Sequence, residues 1–128
     1  MTLQNSSSKM KNGKHNVIYK NKDVYLGDFK MNKKHGEGVI KYNNGDIYQG
    51  EWENGLKHGN GKMTYINGDI YEGEWRFDRI NKKGKMTYVN GDVYEGEWYD
   101  GVKNGKGKMT YKNGDIYEGS WKKNTTIN

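Results

Sequence analysis

Five tyrosines, Tyr25, Tyr48, Tyr71, Tyr94 and Tyr117, stand 23 residues apart, and whole columns keep step with them. Asp23, Asp46, Asp69, Asp92 and Asp115 precede them, and Gly27, Gly50, Gly73, Gly96 and Gly119 follow. Phe29, Trp52, Trp75, Trp98 and Trp121 close each unit, while Tyr19, Tyr42, Tyr65, Tyr88 and Tyr111 come before each turn. A reacting group normally occurs once. A phrase returning at a fixed interval belongs to a scaffold whose units bury their faces against one another. Five units are legible, the first of them degenerate.

Composition sharpens this reading. A chain of 128 residues with 31% hydrophobic content and a mean hydropathy of −1.24 is too polar for a thick core, and by itself that would suggest disorder. The 11 tyrosines, 4 tryptophans and 2 phenylalanines, most of them in register, argue for order in a stack one layer thick. We place the ordered array at residues 17–121, between a polar segment at 1–16 and a short polar tail at 122–128. No cysteine is present, so neither a disulfide framework nor a thiolate metal site is available. No apolar run reaches the roughly 18 residues of a membrane-crossing helix. The net charge of +6 permits attraction to an anionic surface without identifying one.

Asn44-Gly45, Asn67-Gly68, Asn90-Gly91 and Asn113-Gly114, each flanked by apolar and aromatic residues, are strong hairpin signals. Asn21-Lys22 stands in the first unit, where a lysine at positive φ should loosen the turn. A two-residue turn would set Thr64 opposite Tyr71. A three-residue turn bulged at Gly68 sets Tyr65 opposite Asp69 and Met63 opposite Tyr71. The latter places Met63, Tyr65, Tyr71 and Trp75 on one face, with Lys62, Thr64, Glu72 and Glu74 on the other, as a sheet with one wet side requires. Gly73 and its equivalents then leave room for a ring over the backbone. The expected fold is all-β: an elongated single-layer antiparallel meander of about five hairpins, twisted and curved. Ten strands would extend on the order of 45 Å.

The stretches YQGEWENGLKHGNGKMTYINGD and YEGEWYDGVKNGKGKMTYKNGD follow the spelling YxGxWxxGxxxGxG. On these residues, over about 17–121, the chain resembles the MORN-repeat family. The resemblance implies an elongated sheet of hairpins. It also implies membrane-junction, cytoskeletal or ciliary scaffolding, with arrays that take anionic lipids or hold a partner helix or peptide in an aromatic groove. One unit departs from the spelling: in WRFDRINKKGK, Asp78 and Lys82 replace pattern glycines, and the connection should not survive unchanged.

A search for chemistry finds columns rather than a singular site. The repeated aspartates suit turn amides better than proton transfer. His35 and His58 share one repeat position and lack the ligand set zinc requires. The glycine-rich stretches lack the Gly-Lys-Ser/Thr ending and following helix of a phosphate loop. No catalytic residue, metal site or cofactor is expected, and nucleic-acid binding is disfavoured because the sheet itself consumes the rings.

The expected role is a non-enzymatic scaffold that takes a protein segment or a second copy on the aromatic face. Its residues would be Tyr48, Trp52, Tyr71, Trp75, Tyr94, Trp98, Tyr117 and Trp121. Arg76, Phe77 and Arg79, the chain's only arginines around one of its two phenylalanines, would fix where an acidic partner sits. The alternative is an adaptor for anionic phospholipid headgroups through Lys57, Lys82, Lys83, Lys103, Lys106, Lys122 and Lys123. The expected setting is cytoplasmic, at the cytoskeleton or the inner membrane face.

Overall fold

The computed structural model describes residues 2–3 and 11–127, so most of the polar segment at the N-terminus lies outside the described residues. The strands are β1 (Thr2–Leu3), β2 (Gly13–Ile18), β3 (Val24–Lys30), β4 (Lys33–Lys41), β5 (Ile47–Glu53) and β6 (Leu56–Thr64). They continue as β7 (Ile70–Arg76), β8 (Arg79–Thr87), β9 (Val93–Tyr99), β10 (Val102–Thr110), β11 (Ile116–Lys122) and β12 (Thr125–Ile127). From β2 to β12 they form one open antiparallel meander in sequence order, and β1 pairs in parallel with β2 at one edge. Among the described residues there is no helix.

Two kinds of turn alternate. At the wider one, the Tyr65 amide donates to the Asp69 carbonyl and the Gly68 amide to the Tyr65 carbonyl, both at 2.9 Å, with Gly68 at φ 101°. This is the three-residue bulged turn, and it sets Met63 opposite Tyr71 as the aromatic pattern requires. Lys22 holds the same left-handed position at φ 79°. Glycine there carries no Cβ penalty. Lys22→Gly is therefore expected to raise stability by about 1 kcal/mol, read as a higher denaturant midpoint at unchanged slope; no gain would refute the cost assigned to that turn.

The tighter turn has two residues, both at positive φ: Asn54 at 50° and Gly55 at 84° in one copy. The glycine replacements in the third unit do not change this connection, contrary to the sequence expectation. Phe77 at φ 46° and Asp78 at φ 69° adopt the same turn, and Lys82 at φ 66° takes the place of Gly59 and Gly105. The flanking ladders, with Trp75 opposite Ile80 and Gly73 opposite Gly84, hold the backbone in that shape. A left-handed residue costs only about 1–2 kcal/mol, which the packed strands outweigh. Strand pairing also runs past the array bounds read from sequence, since β2 begins at Gly13 and β12 pairs Thr125 with Lys122.

The columns stitch one unit to the next. The Asp46, Asp69 and Asp92 carboxylates each accept an amide from the following turn, at Ile66, Val89 and Lys112, at 2.8–2.9 Å. On the other edge the Gly55, Asp78, Gly101 and Asn124 amides donate to the carbonyls of Lys34, Lys57, Ile80 and Lys103, all at 2.9 Å.

Candidate functional site: the aromatic inner face

The motif tyrosines and tryptophans point to one side of the sheet and form an unbroken chain of edge-to-face contacts. Tyr48 meets Trp52 at 5.1 Å and Trp75 at 5.3 Å; Tyr71 meets Trp75 at 5.4 Å and Trp98 at 5.6 Å; Tyr94 meets Trp98 at 5.1 Å and Trp121 at 5.3 Å. Each interior tyrosine is thus held between its own tryptophan and the next unit's, the geometry ring quadrupoles favour. The glycines admit this arrangement, because a Cβ on Gly84 would fall on the Tyr71 hydroxyl and ring.

Each ring also satisfies its own polar atom. The Tyr48, Tyr71 and Tyr94 hydroxyls donate to the carbonyls of Glu51, Glu74 and Glu97 at 2.8–3.1 Å. The Trp52, Trp75, Trp98 and Trp121 indoles donate to Gly38, Gly61, Gly84 and Gly107 carbonyls at 3.1–3.4 Å. These contacts account for the Tyr and Trp of the YxGxW spelling, and its glycine, Gly73, leaves no room for a Cβ, which would fall on the Gly84 backbone and the Tyr71 hydroxyl. A scan against family models matches the MORN repeat at residues 25–47, 48–70, 71–93 and 94–116, most of the chain. The chain is a MORN-repeat protein. A search of the curated proteins finds no significant match.

MORN repeats form a scaffold family that is generally non-catalytic, and the acidic columns here have structural partners. Besides the aspartates already described, the Glu51, Glu74 and Glu97 carboxylates accept amides of the bulged strands at Asn60, Lys83 and Lys106. His58 pairs with Glu53 at 3.4 Å and accepts the Phe77 amide at 3.4 Å.

The site residues read from sequence divide into three groups. Tyr48, Tyr71 and Tyr94 are fully buried and Trp52, Trp75, Trp98 and Trp121 nearly so; Tyr117, with only Trp121 beside it, is half-buried. These rings make the MORN core, and what faces outward above them is the half-buried column Tyr19, Tyr42, Tyr65 and Tyr88. Arg76, Phe77 and Arg79 are not on this face. Arg76 sits opposite Arg79, one residue beyond the inward pair Trp75 and Ile80, so alternation turns both arginines to the outer side. There Arg76 lies over Phe77 at 5.4 Å, Arg79 pairs with Asp100 at 3.2 Å, and with Asn81 and Tyr99 they line a cleft of about 420 Å³.

The lysines named for lipid headgroups also split. Lys82, Lys83, Lys106, Lys122 and Lys123 are exposed. Lys57 and Lys103 turn inward: Lys57 keeps only 11% side-chain exposure, with its ammonium 5.5 Å from the Tyr42 ring centre, 5.8 Å from Tyr48 and 5.4 Å from Trp75. Lys103 sits likewise among Tyr88, Tyr94, Trp98 and Trp121, and Lys34, a residue the sequence reading passed over, among Tyr19, Tyr25 and Trp52. Burial pushes the Lys34 and Lys103 ammoniums below the ordinary lysine value. The 23-residue column Lys34, Lys57, Ile80, Lys103 was visible in the sequence; only the strand register shows that it points inward.

Burial raises the Tyr25, Tyr48 and Tyr71 phenols well above the ordinary value near 10, and Tyr94 up to about 12. Since the unfolded chain releases these protons first, the stability they contribute is intact below about pH 10 and falls as pH rises beyond it. MORN-array unfolding should therefore coincide with phenolate absorbance between about pH 10 and 12. A full tyrosine titration with the sheet still intact would contradict this.

Proposed function

We propose that this MORN-repeat chain is a non-enzymatic scaffold that holds a partner protein segment along its inner face. The observation that carries the reading is the composition of that face once the core is complete. The buried rings satisfy themselves, yet Tyr42 and Tyr88 remain half-exposed beside the inward-turned ammoniums of Lys57 and Lys103, and Tyr65 is half-exposed between them. Such an aromatic and cationic surface suits a segment bringing apolar and acidic groups. Arg76, Phe77 and Arg79 enter this reading as a lateral contact at the tight-turn edge. The proposal includes a cytoplasmic setting, in cytoskeletal or membrane-associated assemblies, for which the uses of other MORN arrays are the support.

The headgroup reading has less support. Along the outer face the register sets Lys62 opposite Glu72, Lys85 opposite both Glu72 and Glu95, and Lys108 opposite Glu95 and Glu118. An alternating ladder of this kind lacks the clustered positive charge that an anionic membrane rewards.

Peptides enriched from a displayed library on the folded chain test the proposal. Tyr42→Ser, Tyr65→Ser and Tyr88→Ser should each weaken the enriched peptides by about tenfold, while the outer-face exchange Glu72→Lys should not. Unchanged affinity in all three tyrosine variants would overturn the inner face as the docking surface.

A further inference from the structure

The inner face repeats with one interruption, and the interruption gives it a register. Lys34, Lys57 and Lys103 occupy equivalent positions on β4, β6 and β10, and on β8 the equivalent position is Ile80, 6% exposed. The three ammoniums also differ in compensation. Lys57 has the Asp78 carboxylate at 3.4 Å, supplied by the tight turn of the next unit. The corresponding turn residue is Gly55 beside Lys34 and the neutral Asn124 beside Lys103. Neither Lys34 nor Lys103 has an ion pair among the described residues, although Asp78 and Asp23 act on Lys34 from beyond contact distance; the Lys103 ammonium donates to the Tyr88 hydroxyl, at 3.2 Å. A half-desolvated ammonium held on π faces with no carboxylate in contact is an unfilled anion position.

Along the array the face therefore reads open cation, compensated cation, apolar, open cation. Successive positions are two strands apart, about 9.6 Å. An α-helix returns the same face every two turns, about 10.8 Å, so a helix lying across the strands meets successive units with successive heptads.

We propose that the occupant is an acidic amphipathic helix of a partner protein, seated in one register: carboxylates over Lys34 and Lys103, a neutral polar residue over Lys57, and an apolar side chain over Ile80. This rests on the inner-face reading above and adds the chemistry and the register of the partner. An all-acidic helix would set a carboxylate against Ile80, where desolvation has no cation to offset it, and another beside Asp78. The variation within the column thus selects against simple charge matching.

Two synthetic four-heptad peptides of identical composition test it by calorimetry. The matched peptide presents Glu, Gln, Leu and Glu at the facing position of successive heptads. The mismatched one presents Glu, Gln, Glu and Leu, which fits in neither chain direction. The matched peptide should bind at least about tenfold tighter. Lys103→Met, which keeps an unbranched chain and removes the charge, should erase most of that advantage. Ile80→Lys should abolish the preference, because each peptide then sets two carboxylates over open cations and a leucine over the third. Circular dichroism checks that both variants stay folded, and Lys103→Met decides the matter should Ile80→Lys not fold. Equal affinity for the two peptides, or a preference untouched by Lys103→Met, overturns the register while leaving inner-face docking in place. Library peptides that compete at Tyr65 and Tyr88 yet carry no acidic residues do the same. Phosphatidylserine vesicles that bind through Lys34 and Lys103 when no peptide binds overturn both readings.

Discussion

Tyr71→Ala should lower stability by about 3–5 kcal/mol, and Tyr117→Ala by only about 1–2 kcal/mol. Both tyrosines belong to the same column and the same spelling, so sequence alone assigns them the same importance. Tyr71 has no solvent exposure and is held between Trp75 and Trp98, over Gly73 and Gly84, with its hydroxyl bonded to the Glu74 carbonyl at 3.1 Å. Tyr117 has Trp121 as its one ring partner, and its hydroxyl lies within hydrogen-bond reach of the Ser120 and Ile127 carbonyls. In a stack stabilised by contacts between neighbouring units, an interior ring supports two interfaces and a terminal ring one. Tyr71→Phe isolates the hydroxyl and should cost about 1 kcal/mol. Hydrogen exchange should locate the Tyr71→Ala loss in β5 to β10, with the ends of the sheet less affected. Equal losses at the two tyrosines would refute the claim that ring packing between units carries the stability.

Gly84→Ala is the second large effect, at about 3 kcal/mol. The added methyl would fall on the Tyr71 hydroxyl and ring edge, and the sheet backbone on the other side cannot give way without breaking the β7 and β9 ladders. Gly55→Ala supplies the contrast. That position has φ 84° and nothing within 4 Å of the new Cβ, so only the left-handed conformation is penalised, about 1 kcal/mol. The mechanism has a sharper test in the double variant. With Tyr71 already alanine, the space above Gly84 is free, and Gly84→Ala should then cost well under half of what it does in the parent chain. Strict additivity in denaturant titrations would show that the glycine serves the backbone and not the ring.

The pattern of turns was open to local reasoning because its causes are local. Asn67-Gly68 specifies a bulged turn, and of the two registers it allowed, only the one with Met63 opposite Tyr71 put the aromatics on one face. The same reasoning failed at Phe77, Asp78 and Lys82, where residue preference predicted a changed connection and the turn stayed. A preference worth about 1 kcal/mol is a weak constraint on a backbone fixed on both sides by paired strands. The site was less legible than the fold. Tyr71, Trp75, Tyr94 and Trp98 were rightly grouped on one face, but whether a ring in a one-layer sheet is covered depends on its neighbours in the next unit, which no single repeat contains.

By itself the sequence determined the 23-residue period, the all-β meander, the turn positions and the aromatic face, because each follows from side-chain chemistry within a few residues or from alternation along one strand. Only the tertiary structure decided which groups remain accessible. It buried the tryptophans and tyrosines of the motif, turned Lys34, Lys57 and Lys103 inward onto them, and sent Arg76 and Arg79 to the opposite side. Those outcomes depend on how adjacent strands and adjacent units come into register, and a lysine written in a loop-like stretch carries no local mark of the ring it will lie against.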